Sequence, residues 1–267
     1  MFGAYRYTDL EKDLDILRQN HPEISVFSIG QSLEGRKLYA IRQGNGGKRI
    51  FFHGAHHGME WLTAKLLTAF AKDLAEDTFH TKQLLKNCTL YLVPMVNPDG
   101  IEIAAQGISW QANARGVDLN HNYDALWHLS KQAEKDYGIT GPGPTRFSGT
   151  FPESEPESHA IANFTRQNSF DLTIAFHSQG EVIYWDFCGY APEESLVYGK
   201  RFEAVSPYRL DVPDGIASYG GYKDWFIRTY QKPGFTVEIG IGKNPLPMED
   251  FPDIYQKTVP LMLEAMS

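Results

Sequence analysis

Cysteine is nearly absent from the chain: its 267 residues include two, Cys88 and Cys188. Two thiols cannot build a disulfide framework or a thiolate metal cluster, so the small stapled domains are excluded. Positive charge is in deficit, with 25 Lys and Arg against 33 Asp and Glu, a formal net charge of −8. An acidic balance argues against general nucleic-acid binding, which is driven by attraction to phosphate. No apolar run approaches the roughly 20 residues that cross a bilayer. The opening stretch MFGAYRYTDLEKDLDIL lacks the basic-then-apolar pattern of a secretion leader, so a reduced, cytoplasmic setting is expected. There is no Gly-x-Ser-x-Gly elbow, which removes that class of serine hydrolase. The turn Gly44-Asn45-Gly46-Gly47 joins strand to strand without a following Gly-Lys-Ser/Thr, so it is not a phosphate loop.

What is present is buriable surface: 16 Phe, 14 Tyr and 5 Trp are too many for a solvated coil. No repeat or long linker divides the chain, so one domain over residues 1–267 is expected. Thr8-Asp9-Leu10-Glu11 has the form of a capping box, followed by Leu10, Leu14 and Leu17 at helical spacing and closed by Pro22. Residues 24–29 and 36–43 alternate as strands, and Arg49-Ile50-Phe51-Phe52 follows the glycine turn. A helical pattern covers 60–75. Apolar runs at 89–93, 172–176 and 235–238 read as buried strands, with helices predicted over 155–167, 192–204, 221–231 and 249–265. Apolar strands interleaved with helices of this length predict an α/β fold whose sheet is covered on both faces. The early alternating pair makes the sheet mixed.

In such sheets the ligand site lies beyond the strand ends. Three of those ends carry unusual residues. After Phe52 comes His53-Gly54-Ala55-His56-His57-Gly58-Met59-Glu60-Trp61; after Phe176 comes His177-Ser178-Gln179-Gly180; and Glu238 sits between Val237 and Ile239. Two imidazoles and a carboxylate form a zinc set with one place open for water, the mark of a catalytic site. His57 and Glu60, three residues apart, can face one ion from a single tight turn, with His177 arriving from another strand. His53 and His56 stand as alternative ligands or pocket residues. Taken alone, Glu60 reads as a first-turn helix acid, whereas a carboxylate at 238 amid apolar neighbours must be solvated or shift its pKa. The cysteines read as packing residues rather than nucleophiles, and Gly141-Pro142-Gly143-Pro144 as a stiff loop at the cleft.

Six segments, in order, resemble the zinc carboxypeptidase (M14) family. They are His57-Gly58-Met59-Glu60-Trp61, Asn97-Pro98-Asp99-Gly100, Gly116-Val117-Asp118-Leu119-Asn120, Phe176-His177-Ser178, Gly220-Gly221-x-x-Asp224-Trp225 and Phe235-Thr236-Val237-Glu238. The resemblance implies a three-layer α/β/α domain around a mixed, roughly eight-stranded sheet. It implies one zinc ion per chain on His57, Glu60 and His177, Glu238 as catalytic carboxylate, and Asp118 as the acid orienting a zinc histidine. Without it, Asp118 is an ordinary Asx-turn residue.

The chain also departs from the family. Typical exopeptidases of this kind grip a terminal carboxylate with an Asn-Arg pair and an arginine in the zinc motif; here Asn120-His121 and Met59 stand there. The carbonyl-polarising arginine is replaced by Gln111, with Arg115 as a candidate substitute. The family's side-chain specificity position falls at Lys223, which favours a substrate with an extra carboxylate. The substrate-covering tyrosine maps to Ile216, with Tyr219 and Tyr222 nearby. These departures are most similar to the bacterial branch that cleaves γ-D-glutamyl–meso-diaminopimelate bonds in peptidoglycan peptides. The expected partner is therefore a peptide, in particular a cell-wall muropeptide, with no nucleic acid and no membrane insertion. A general metallocarboxypeptidase, a deacylase of N-acyl amino acids and a non-catalytic peptide-binding protein are the competing readings.

Overall fold

Strands β1 (Ser25–Gln31), β2 (Lys37–Gly44), β3 (Lys48–Gly54), β4 (Cys88–Val93), β5 (Leu172–His177), β6 (Val182–Tyr184), β7 (Arg209–Asp211) and β8 (Gly234–Glu238) form one sheet in the order β1-β2-β4-β3-β5-β8-β6-β7. This is a computed structural model that describes residues 3–78, 81–214 and 219–267. The four central strands β4, β3, β5 and β8 pair in parallel, while β1 and β2 run antiparallel on one flank and β6 pairs antiparallel with β8 on the other. The sheet is thus mixed, as the alternating first pair predicts.

Alternation across the pleat explains why the central strands are apolar throughout. Ile50 and Phe52 of β3 join Leu10, Leu14, Leu66, Phe202 and Leu261, from helices α1 (Tyr7–Asn20), α2 (Trp61–Ala75), α7 (Glu193–Val205) and α9 (Phe251–Met266). Phe51, between them, points to the other face and packs with Ile161 and Phe164 of α6 (Pro156–Asn168) and Trp225 and Phe226 of α8 (Tyr222–Tyr230). Each such fully buried side chain contributes about 1.5–3 kcal/mol. The result is the expected three-layer sandwich, with a separate core on each face of the sheet.

Several local expectations shift. The first helix begins at Tyr7, and Asp9, not Glu11, reaches back to the Arg6 backbone N–H at 2.9 Å. The loops contain α3 (Lys82–Asn87), α4 (Pro98–Ala104) and α5 (Trp127–Asp136), and the sheet gains β6 and β7. All are short, and the strands β6 and β7 span three residues each. Cys88 is buried at the start of β4, as expected, but Cys188 is exposed and so is not a packing residue. Among the described residues no helix is long and apolar enough to cross a membrane.

The topology creates the site. From β3 the chain passes through α2 and reaches β4 on one side, while β5, preceded by α6 on the opposite face, lies on the other side of β3. Loops leaving the ends of β3 and β5 therefore diverge, and a crevice opens between them.

Candidate metal centre and active-site cleft

The loop after β3 closes a turn in which the Glu60 N–H donates to the His57 carbonyl at 3.1 Å. Glu60 is the N-cap of α2, but its carboxylate is turned away from the free helix N–H groups and towards two imidazoles. One oxygen lies 2.8 Å from His57 Nδ1 and the other 3.0 Å from His177 Nδ1, and the two Nδ1 atoms are 3.3 Å apart. His177 is the last residue of β5, paired across the ladder with Glu238 at the end of β8. His57, Glu60 and His177 can each aim one ligand atom so that all lie within 4.8 Å of one another. Two ring nitrogens and an acidic oxygen drawn together out of bulk water are the donor set that suits zinc.

The charges support one another. Burial alone would push the His57 imidazole down, but the carboxylates of Glu60 and Asp118 outweigh it and hold it well above the usual histidine range. Burial opposes ionisation of Glu60 too, yet the two histidines keep its carboxyl below the ordinary value. Glu238 goes the other way: burial, then repulsion from Glu60, raises it, with His57 and Arg146 opposing. Gly234–Val237 are buried, and Glu238 opens towards the cleft. Two acids in one cleft are thus driven apart in pKa, an arrangement that fits one ligand and one proton acceptor.

His53 and His56 do not join the donor group. His53 is fully buried against the rings of Phe51 and Tyr222. His56 lies 3.1 Å from the Tyr123 hydroxyl and stacks on His177. Burial holds both imidazoles below the usual range, so they are neutral packing beneath the site.

Asp118 is both an Asx-turn residue and an orienting acid. Its Oδ1 lies 3.1 Å from His57 Nε2 and accepts the Asn120 N–H at 3.2 Å, while Oδ2 accepts the Arg146 N–H at 2.9 Å. With Nε2 committed to Asp118, His57 is left with Nδ1 for a metal. Asn97 pins the neighbouring loops: its side-chain amide donates to the His56 and Ala112 carbonyls at 2.9 and 3.0 Å, and its Oδ1 accepts the Gly100 N–H. Gly58 lies so close to this junction that a Cβ there would fall 2.3 Å from the Gly100 carbonyl oxygen. Asn97→Ala strands buried carbonyls at roughly 1–3 kcal/mol each. A stability loss of about 3 kcal/mol in denaturant unfolding is expected, and a loss below about 1 kcal/mol would contradict the pinning role.

The open side of the triad is a cleft of about 440 Å³. Gln111, Asn120, His121 and Lys223 line it. Three expectations change. Arg115 lies outside the lining, half-exposed and 3.3 Å from Glu155. Tyr219 packs its ring on the second core and offers the cleft side only its carbonyl, which accepts from His121 Nδ1 at 2.9 Å. Lys223 is not an unmatched cation: it is 4% exposed and paired with Asp224, and it donates to the Asp186 carbonyl at 2.6 Å. Ile216 lies outside the described residues. The residue that sequence reasoning missed is Arg146, which lines the cleft with a left-handed backbone, φ 69°.

A parallel-centred α/β/α fold with a His-Glu-His donor set, an acid beside it and a cleft in front is a zinc-dependent amide hydrolase of the peptidase class. Residues 10–260 match the zinc carboxypeptidase family (peptidase family M14), and the chain belongs to it. It is 35% identical, over 98% of its length and 72% of the relative's, to gamma-D-glutamyl-L-diamino acid endopeptidase 1 of Lysinibacillus sphaericus. Its fold matches bovine thrombin-activatable fibrinolysis inhibitor with a TM-score of 0.82 at 20% identity, covering 99% of this chain and 96% of that one. Murein-tripeptide amidase MpaA of Escherichia coli O157 shares the fold less closely, with a TM-score of 0.58 at 20% identity over 90% of each chain.

Proposed function

We propose that this chain hydrolyses the amide between a γ-linked D-glutamyl residue and a diamino acid in peptidoglycan peptides. The observation that carries this reading is the buried Lys223–Asp224 pair lining the cleft. A matched cation and anion are poor partners for a simple carboxylate side chain. They complement the zwitterionic end of meso-diaminopimelate, whose far carbon bears both an ammonium and a carboxylate. The likeness to a named γ-D-glutamyl-L-diamino acid endopeptidase over nearly the whole chain supports the same substrate.

His57, Glu60 and His177 would hold a zinc ion, which when bound would supply Lewis acidity towards the scissile carbonyl and make a water acidic near neutral pH. Glu238 takes a proton at a carboxylate oxygen and passes it to the nitrogen of the departing diamino acid. Asp118 keeps the His57 ring in the orientation that leaves Nδ1 free. The Lys223–Asp224 pair aligns the far end of the substrate, so that the scissile amide rests before Glu238.

L-Ala-γ-D-Glu-meso-diaminopimelate is expected to turn over at least about 100-fold faster, by kcat/KM, than a benzoyl-Gly-Phe substrate. Exchanging diaminopimelate for lysine, which lacks the second carboxylate, is expected to cost about 10- to 100-fold, because the zwitterionic match to the Lys223–Asp224 pair is lost. Equal turnover of the benzoyl dipeptide removes the cell-wall assignment.

A further inference from the structure

We propose that Arg146 is the residue that binds the carboxylate on the departing diamino acid's α-carbon, the carbon that bears the scissile nitrogen, making the enzyme prefer peptides that end at that residue. The inference rests on the substrate class proposed above. Among the described residues Arg146 is the one guanidinium lining the cleft, and no carboxylate lies within salt-bridge distance of it. Lys223 is already matched by Asp224, and Lys243 is exposed, so Arg146 offers the half-buried positive charge that an anion can claim.

Its placement is fixed from three sides. Asp118, which holds His57, accepts the Arg146 backbone N–H, so the zinc ligand and the Arg146 main chain hang on one carboxylate. The Gly141–Pro144 loop anchors the segment just before it, the Pro144 carbonyl accepting from the Gln111 and Ala112 N–H groups at 2.8 and 3.0 Å. At the tip, His121 Nδ1 donates to the Tyr219 carbonyl. That leaves Nε2 unprotonated to accept from Arg146 Nη1 at 3.2 Å.

The geometry also selects which carboxylate. Asn120, next to His121, uses its Oδ1 to accept the Tyr222 N–H at 3.1 Å, which leaves its amide N–H groups as donors in the cleft that Arg146 also lines. Gly221 separates this Asn120 oxygen from Asp224 by so little that a Cβ there would lie 3.5 Å from the one and 2.8 Å from the other. Arg146, His121 and Asn120 therefore adjoin the Lys223–Asp224 pair, and the anion they bind belongs to the same substrate residue. Bidentate guanidinium binding there replaces the contacts that Met59, Gln111 and His121 cannot make.

The test compares the tripeptide L-Ala-γ-D-Glu-meso-diaminopimelate with its analogue amidated at the carboxylate next to the scissile nitrogen. Wild-type holoenzyme is expected to favour the free acid about 30- to 100-fold in kcat/KM. Arg146→Gln should lose that factor on the free acid, mainly through KM, and stay within about threefold on the amide; Arg146→Lys should recover a minor part. Equal losses on both substrates, or a wild-type enzyme indifferent to amidation, overturn the assignment. Calorimetric binding of free diaminopimelate to the holoenzyme gives a second readout, expected to weaken about 30-fold in Arg146→Gln at unchanged melting temperature. Unchanged binding overturns the role of Arg146 whatever the turnover. Failure of wild type to cleave either peptide removes the substrate reading instead, and the calorimetry still decides for or against Arg146.

Discussion

Glu238→Gln is expected to keep its zinc and lose two to four orders of magnitude in kcat, the scale of a missing general base. The side chain ends β8 directly across the ladder from His177, yet it is not part of the His57, Glu60 and His177 donor group. The substitution is nearly isosteric and the preceding residues of β8 are buried, so the strand and its packing stay as they are. What changes is basicity, because an amide oxygen cannot hold the transferred proton. Burial and the Glu60 charge raise the Glu238 carboxyl, which moves its proton affinity towards the working pH. The sign follows directly: activity needs the carboxylate form, so wild-type kcat falls as the pH drops through the raised value. Glutamine has no such group, and its residual rate should lack that acid limb. Metal analysis beside a pH–rate profile checks both parts. Activity above about a tenth of wild type would force a search for another base.

The parts legible in the sequence share one property: their signal is local or strongly periodic. The apolar runs of β3, β4, β5 and β8 announce strands buried on both faces, because no charged residue breaks 50–52, 88–93, 172–176 or 234–237. The three-residue spacing of His57 and Glu60 is likewise a property of a single turn. His177 and Glu238 stand out as polar ends of apolar strands, and the register then makes them neighbours. The three-residue strands β6 and β7 are too short to show a period; β6 forms because β8 offers an edge to pair with, and β7 then pairs with β6. Arg146 was invisible for a different reason. Its position is set by a carboxylate 28 residues earlier and by His121, and its left-handed backbone has no sequence signature outside glycine and asparagine. Arg115 shows the opposite failure: it is near Asn113 and Asp118 in sequence, yet Glu155 draws its guanidinium away from the cleft. Lys223 was assigned to the cleft by resemblance, but its neutralisation by the next residue runs against the habit of adjacent helical side chains, which diverge.

Chelation of the metal is expected to reduce hydrolysis to background, and stoichiometric zinc to restore it, with an affinity that falls as the solution is acidified. The acid dependence comes from His57. Burial opposes its proton, but Glu60 and Asp118 outweigh that and hold it above the ordinary histidine range, so in the metal-free protein a proton competes with the metal for this ring. Both Nδ1 atoms must be unprotonated to act as ligands, so zinc uptake displaces the proton that this ring holds. Lowering the pH stabilises the protonated competitor, and affinity falls with it. Calorimetry in buffers of different ionisation enthalpy measures the proton count directly and does not depend on turnover. Melting temperature supplies a third readout, since zinc at 100 times its Kd adds about 2.7 kcal/mol to the folded state. Glu60→Gln removes the anionic ligand and should weaken binding by more than the roughly 10- to 100-fold that loss of an orienting partner such as Asp118 costs. Hydrolysis that persists after complete chelation, or zinc binding indifferent to Glu60, would separate the three side chains from the chemistry.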